Sequence, residues 1–81
     1  MFKIGKVLQF YVKTSIAIVE LDGALAVHDR VRFVRDGNTL FEQDVEVLQV
    51  DYKKVDSANR GDVVGLKTNE ETQKEDEIFK I

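Results

Sequence analysis

Few side chains in this 81-residue chain offer covalent chemistry. There is one histidine, His28. A Ser-His-Asp site would need it beside Ser15 or Ser57 and an aspartate, with the imidazole taking the hydroxyl proton. No G-x-S-x-G elbow supports that, and the three residue types coexist in most chains. A turn histidine is the plainer reading of His28. Cysteine is absent, which excludes disulfides, thiolate nucleophiles and thiolate metal sites. No H-x-x-x-H or D-x-[DN]-x-[DN]-G pattern gives His28 or the carboxylates metal-ligand spacing. No G-x-x-x-x-G-K-[ST] loop is present, so a nucleoside triphosphate is not expected as a partner. The chain reads as no enzyme, with no cofactor and no metal.

Binding chemistry has more material. Arg30 and Arg32 alternate with Val31 and Phe33, so both face away from the apolar side of a strand. Arg35 follows, and Lys53, Lys54 and Arg60 surround a loop further on. Brought together, these six would suit phosphates, and Tyr11 and Tyr52 could stack on bases. The alternative is the wet side of an amphipathic strand, with Asp44 and Glu46 pairing the arginines across a hairpin. Net charge is −3, and residues 69–77 hold five acidic residues against Lys74. The remainder carries 11 basic and 10 acidic residues, far from the basic excess of a general nucleic-acid binder. Tyr11, Tyr52, Phe10 and Phe41 equally suit a protein interface or a core wall.

The elements that would position these groups read as strands. Residues 2–12 alternate apolar and polar, with Gly5 marking a bulge or bend. Lys13-Thr14-Ser15 turns the chain into the apolar run 16–21, and Asp22-Gly23 ends it. Residues 30–35 and 40–50 form a hairpin about Asp36-Gly37-Asn38, and a parity shift at Leu48 predicts a bulge. Residues 62–68 and 77–81 supply a fifth and a sixth strand. Only 55–61 shows a brief helical signal, with Asp56 as N-cap and Gly61 as stop. The acidic stretch reads as a solvated loop, exposed and mobile over 69–74. Six short strands with regular turns predict an all-β, single small closed barrel, because closure removes edges.

One echo recurs. Asp29, Asp62 and Asp76 each stand two residues before an aliphatic, at Val31, Val64 and Ile78. Aspartates of this kind accept backbone N–H bonds and set where a strand begins. Gly61 precedes Asp62 and invites a positive φ, and Gly65 inside the next strand invites a bulge or close approach.

"IGKV" (4–7), "IAIVEL" (16–21), "LAVHDRV" (25–31), "VEVLQVD" (45–51), "ANRGDVVGLK" (58–67) and "KEDEIFKI" (74–81) occur in an order that covers nearly the whole chain. Together they resemble the small barrel that is domain 2 of translational GTPases such as elongation factor Tu. They look closer still to stand-alone translation elongation factor-like proteins, and related to the C-terminal barrel of collagenase-type peptidases. His28 and Glu75 depart from the glycine that the resemblance places before each turn aspartate. The resemblance implies one domain over 1–81, a non-catalytic binding module associated with RNA or the ribosome. A protein–protein module, homodimeric or docked to a separately encoded enzyme, is the alternative. The resemblance and the lack of an apolar run near 18 residues imply a cytoplasmic protein without a membrane partner.

Overall fold

Alternation along "FKIGKVLQFY" buries Ile4 and Val7 and makes Phe2–Tyr11 the longest strand, β1, of a computed structural model that describes residues 1–81. It is followed by β2 (Ile16–Leu21), β3 (Leu25–Ala26), β4 (Arg30–Arg35), β5 (Asn38–Asp44), β6 (Leu48–Val50), β7 (Lys53–Lys54), β8 (Ser57–Ala58), β9 (Val63–Lys67) and β10 (Glu77–Lys80). No helix forms. The brief helical signal at 55–61 gives way to β8, which pairs with β3 through Leu25 and Ala58.

The expected six strands are ten, and their pairing does not close. One antiparallel sheet of eight strands runs in the order β5-β4-β10-β1-β2-β9-β6-β7, leaving β5 and β7 as edges, and β3-β8 is a separate pair. This corrects the closed six-stranded barrel. The long strand expected over 40–50 breaks at residues 45–47 instead of bulging. Val45 turns its N–H to the Asp29 carbonyl and its C=O to the His28 N–H, both at 2.8 Å, so no ladder continues there. A side chain links the two regions: Gln43 on β5 donates to the Lys67 carbonyl (2.9 Å) and accepts from the Asn69 N–H (2.7 Å).

Inward residues of the sheet converge on one core that includes Val7, Val19, Leu21, Val31, Leu48, Leu66 and Ile78. Phe33 and Phe41, opposite each other on β4 and β5, stack with centroids 4.5 Å apart. Each such buried side chain contributes about 1.5–3 kcal/mol. Gly5 allows β1 and β2 to approach. A Cβ there would stand 2.8 Å from the Glu20 carbonyl oxygen and 2.9 Å from Val19 Cγ1. Register shifts follow on both sides of β1, between Lys3 and Gly5 against β10 and between Val7 and Gln9 against β2.

Three turns share one geometry. Asp29 Oδ2 accepts from the Ala26 N–H (2.9 Å), Asp62 Oδ2 from Asn59 (2.8 Å) and Asp76 Oδ2 from Gln73 (2.8 Å). In each turn the aspartate N–H donates back to the carbonyl of that same residue, at 3.1, 3.0 and 3.1 Å. The residue before each aspartate has positive φ: His28 at 82°, Gly61 at 91° and Glu75 at 77°. The third turn shapes the acidic stretch, which is exposed as expected at 69–71 and 73–74 but turns Thr72 inward. Thr72 is buried, Thr68 Oγ1 donates to the Glu70 carbonyl, and Asp76 anchors the end.

Candidate docking groove

Where β1 leaves the sheet and turns into β2, it faces the β6–β7 hairpin across the middle of β9. The space between them is a groove of about 700 Å³. Phe10, Tyr11, Val12, Ile16 and Ile18 form one wall, Tyr52 and Gln49 the other, and Val63 and Gly65 the floor. Gly65 lies opposite Ile18 on one side and Gln49 on the other. A Cβ at Gly65 would sit 3.3 Å from Ile16 Cγ2 and 3.5 Å from Gln49 Oε1, so glycine keeps the floor low. The lining is mostly apolar, with Lys13 and Asp51 as its charged members.

Backbone strain borders this groove. Ser15 (φ 57°), Asp51 (φ 52°) and Tyr52 (φ 65°) all occupy the left-handed region. Asp51 and Tyr52 are the two central residues of the hairpin linking Val50 to Lys53. A two-residue hairpin of type I′ needs positive φ at both positions, and glycine or asparagine meets that need most easily. Tyrosine there costs about 1–2 kcal/mol. The residue is 97% exposed, so little packing within the chain offsets that cost. Val12 (70% exposed) and Tyr11 (47%) continue the apolar rim. Strain of this kind concentrates at sites of function.

The basic residues are arranged differently from a phosphate patch. Arg30 and Arg32 sit directly opposite Asp44 and Glu42 on β5 and pair with them, at 3.1 and 2.6 Å. Glu42, not Glu46, is thus the second cross-strand carboxylate. Arg35 makes a two-point contact with Asp76 at 2.7 and 2.8 Å. Lys53 and Lys54 form β7, at the far end of the strand order from the β4–β5 hairpin, and Arg60 belongs to the 59–62 turn. The three arginines therefore meet carboxylates inside the chain. Asp29, Gly61, Asp62 and Asp76 all take part in the three turns. Gly65 has its close approach, with neither a positive φ nor a register shift against β2. His28 is a turn residue with positive φ, and Ser15 and Ser57 belong to other elements. No group of three or more His, Cys, Asp or Glu side chains is placed to hold a metal. No helix is long and apolar enough to cross a membrane.

The groove was only partly legible in the sequence. Tyr11 and Tyr52 stood out as aromatics, but nothing in the order of residues placed them on opposite walls. The accessible signal was Asp51-Tyr52 between two short β-prone runs, at the position where a tight hairpin prefers Asn-Gly or Asp-Gly.

The architecture is an open all-β sheet with a small side pair. The chain is similar over 99% of its length to the C-terminal domain of a Geobacillus thermoleovorans protein described as a U32 peptidase. The TM-score is 0.89, the identity 22%, and 92% of that domain is covered. A selenomethionine variant of the same domain matches with TM-score 0.89 and 21% identity, over 96% of this chain and 98% of that one. At these identities the likeness is one of fold. In sequence, an uncharacterized protease of Methanocaldococcus jannaschii is 31% identical over 77 residues, 95% of this chain. The chain spans 19% of that relative's length. No family model matches the chain. These findings overturn the translation-factor expectation and the RNA- or ribosome-binding role drawn from it. Of the resemblances, the one to the collagenase-type peptidase domain stands.

Proposed function

We propose that residues 1–81 are one non-catalytic domain that docks on the peptidase region of a U32-type enzyme through the groove between Tyr11 and Tyr52. The observation that carries the reading is Tyr52 itself, an exposed aromatic held at positive φ on the rim of an apolar groove. Tyrosine buries much apolar area on contact and keeps a polar tip, which suits the centre of an interface. The relatives support the choice of partner, since the matching region in the archaeal protease is a small part of a longer chain.

The test is a binding titration between this chain and the separately produced peptidase region of a U32 enzyme from the same organism. Wild type should bind, and Tyr11→Ala and Tyr52→Ala should each weaken binding about tenfold or more, as interface aromatics do. Equal binding by both variants, with folding intact, would reject the groove as the docking face. No binding by wild type would reject the partner.

A further inference from the structure

The edges of the sheet are defended unequally. β5 carries Glu42 and Asp44, and β7 is Lys53-Lys54. Charges of this sort keep strand edges from pairing with other chains. A third edge has no such protection. β10 pairs with β1 only from Phe2 to Lys6, and the 75–76 backbone then bonds Val7. Beyond Val7, β1 has β2 on one side and neither a strand nor a loop backbone bonded to the other. In an antiparallel pair, alternate residues turn their N–H and C=O away from the partner, so this side of β1 presents free donors and acceptors. The free strand residues are Leu8-Gln9-Phe10-Tyr11, followed by Val12 at the start of the turn, all without charge, proline or glycine. A cleft of about 470 Å³ separates it from residues 71–74.

We infer that this edge pairs with the same edge of a second copy of the chain, making a two-fold symmetric dimer with an intermolecular antiparallel ladder centred on Phe10. The stretch is self-complementary in that register. Phe10 meets Phe10, Gln9 meets Tyr11, and the half-buried Leu8 meets the exposed Val12. A two-fold interface requires this kind of self-match. Charge agrees at the ends. Lys13 of one copy falls opposite Val7 of the other, where the free edge gives way to the turn bearing Glu75, with Glu71 on the same cleft. The occupant is thus another copy of this chain; the contact shares Phe10, Tyr11 and Val12 with the groove proposed above, so the dimer is measured on the chain alone.

Sedimentation equilibrium on the purified chain alone tests the dimer, with no peptidase present. Wild type should shift from monomer to twice the monomer mass along a dilution series, as a small ladder interface implies. The double variants Gln9→Glu/Tyr11→Glu and Gln9→Lys/Tyr11→Lys place like charges opposite each other in the ladder and should stay monomeric. Mixing the two variants sets opposite charges face to face and should restore the dimer mass. Circular dichroism checks that both variants keep the fold. A wild type that remains monomeric throughout, dimers that survive in both variants, or a mixture that fails to associate would each overturn the inference.

Discussion

Arg35 and Asp76, 41 residues apart, clasp each other through two parallel hydrogen bonds, Nε to Oδ1 at 2.7 Å and Nη2 to Oδ2 at 2.8 Å. The guanidinium fork matches the carboxylate, and such pairs are stronger than single contacts. Asp76 is 1% exposed, so its charge depends on these partners and on the Gln73 N–H. The pair ties the end of β4 to the turn that starts β10, the strand lying between β4 and β1.

Removing Arg35 should therefore harm the fold more than removing an ordinary surface charge. Arg35→Ala leaves a buried carboxylate without its cation, a more damaging change than deleting both partners. Arg35→Lys keeps the charge but loses the fork, so its melting temperature should fall between the two. The hydrogen bond to Asp76 raises the Arg35 pKa above its ordinary value, partly opposed by desolvation and aided by the charges of Asp76, Asp36 and Glu71. A raised pKa means that the pair's contribution is complete below the unfolded value and is lost only as pH rises through the folded one. The gap in melting temperature between wild type and Arg35→Ala should thus be the same at neutral and moderately alkaline pH. Thermal unfolding of the three proteins decides this, and an unchanged midpoint for Arg35→Ala would show that the pair contributes nothing.

The three aspartate turns make a matched set of opposite predictions. Gly61 needs φ 91°, and a Cβ there meets nothing within 4 Å. Gly61→Ala thus costs only conformational strain, about 1–2 kcal/mol. His28 and Glu75 already bear that strain. His28→Gly and Glu75→Gly release it, less the roughly 0.5–1 kcal/mol of extra chain entropy that glycine loses on folding. Each should be neutral or gain up to about 1 kcal/mol. Urea midpoints at unchanged slope report all three values. A clear loss of stability in His28→Gly would mean that the imidazole contributes something the turn geometry does not explain.

Much of the fold was readable because β-strand chemistry is local. Alternation at Ile4, Val31 and Phe33 and the turn residues at 22–23 and 36–38 placed the strands. The echo among Asp29, Asp62 and Asp76 foretold three equivalent turns. The closed barrel did not follow, since closure depends on which backbone groups pair at a distance. There Val45 chose the 28–29 backbone over a neighbouring strand. The arginines misled for a similar reason. Parity exposes Arg30 and Arg32, but register decides that Asp44 and Glu42 face them. The acidic segment is largely exposed, as it looked; Thr72 and Asp76 are buried within it and give no apolar signal that would show this.

Two glycines should differ sharply in their tolerance of a methyl group. At Gly5 the added Cβ would press on the Glu20 carbonyl, a backbone atom held in the β1–β2 ladder. Gly5→Ala should cost about 1–3 kcal/mol, as overpacking does. At Gly65 the nearest atom is the end of the Ile16 side chain at 3.3 Å, which can move. Gly65→Ala should cost less than about 1 kcal/mol by the same rule. Denaturant melts of both variants test the contrast, and equal losses would contradict the close approach at Gly5.

Tyr52 allows stability and binding to be separated with one substitution. Its φ of 65° beside Asp51 at 52° is the backbone of a tight hairpin in which glycine is the unstrained choice. Tyr52→Gly should therefore gain stability, by up to about 1 kcal/mol once glycine's greater unfolded freedom is subtracted. Its ring touches little within the chain, so no packing is lost in exchange. If that ring contacts the peptidase, the same variant should bind it at least about tenfold more weakly, the usual loss at an interface anchor. A melt and a binding titration on one preparation give both values. A variant that is more stable and binds as well as wild type would leave the strained tyrosine without a docking role. A variant that loses both would mean that the ring supports the hairpin. Only a gain in stability together with a loss of binding matches an aromatic held in a costly conformation for a partner.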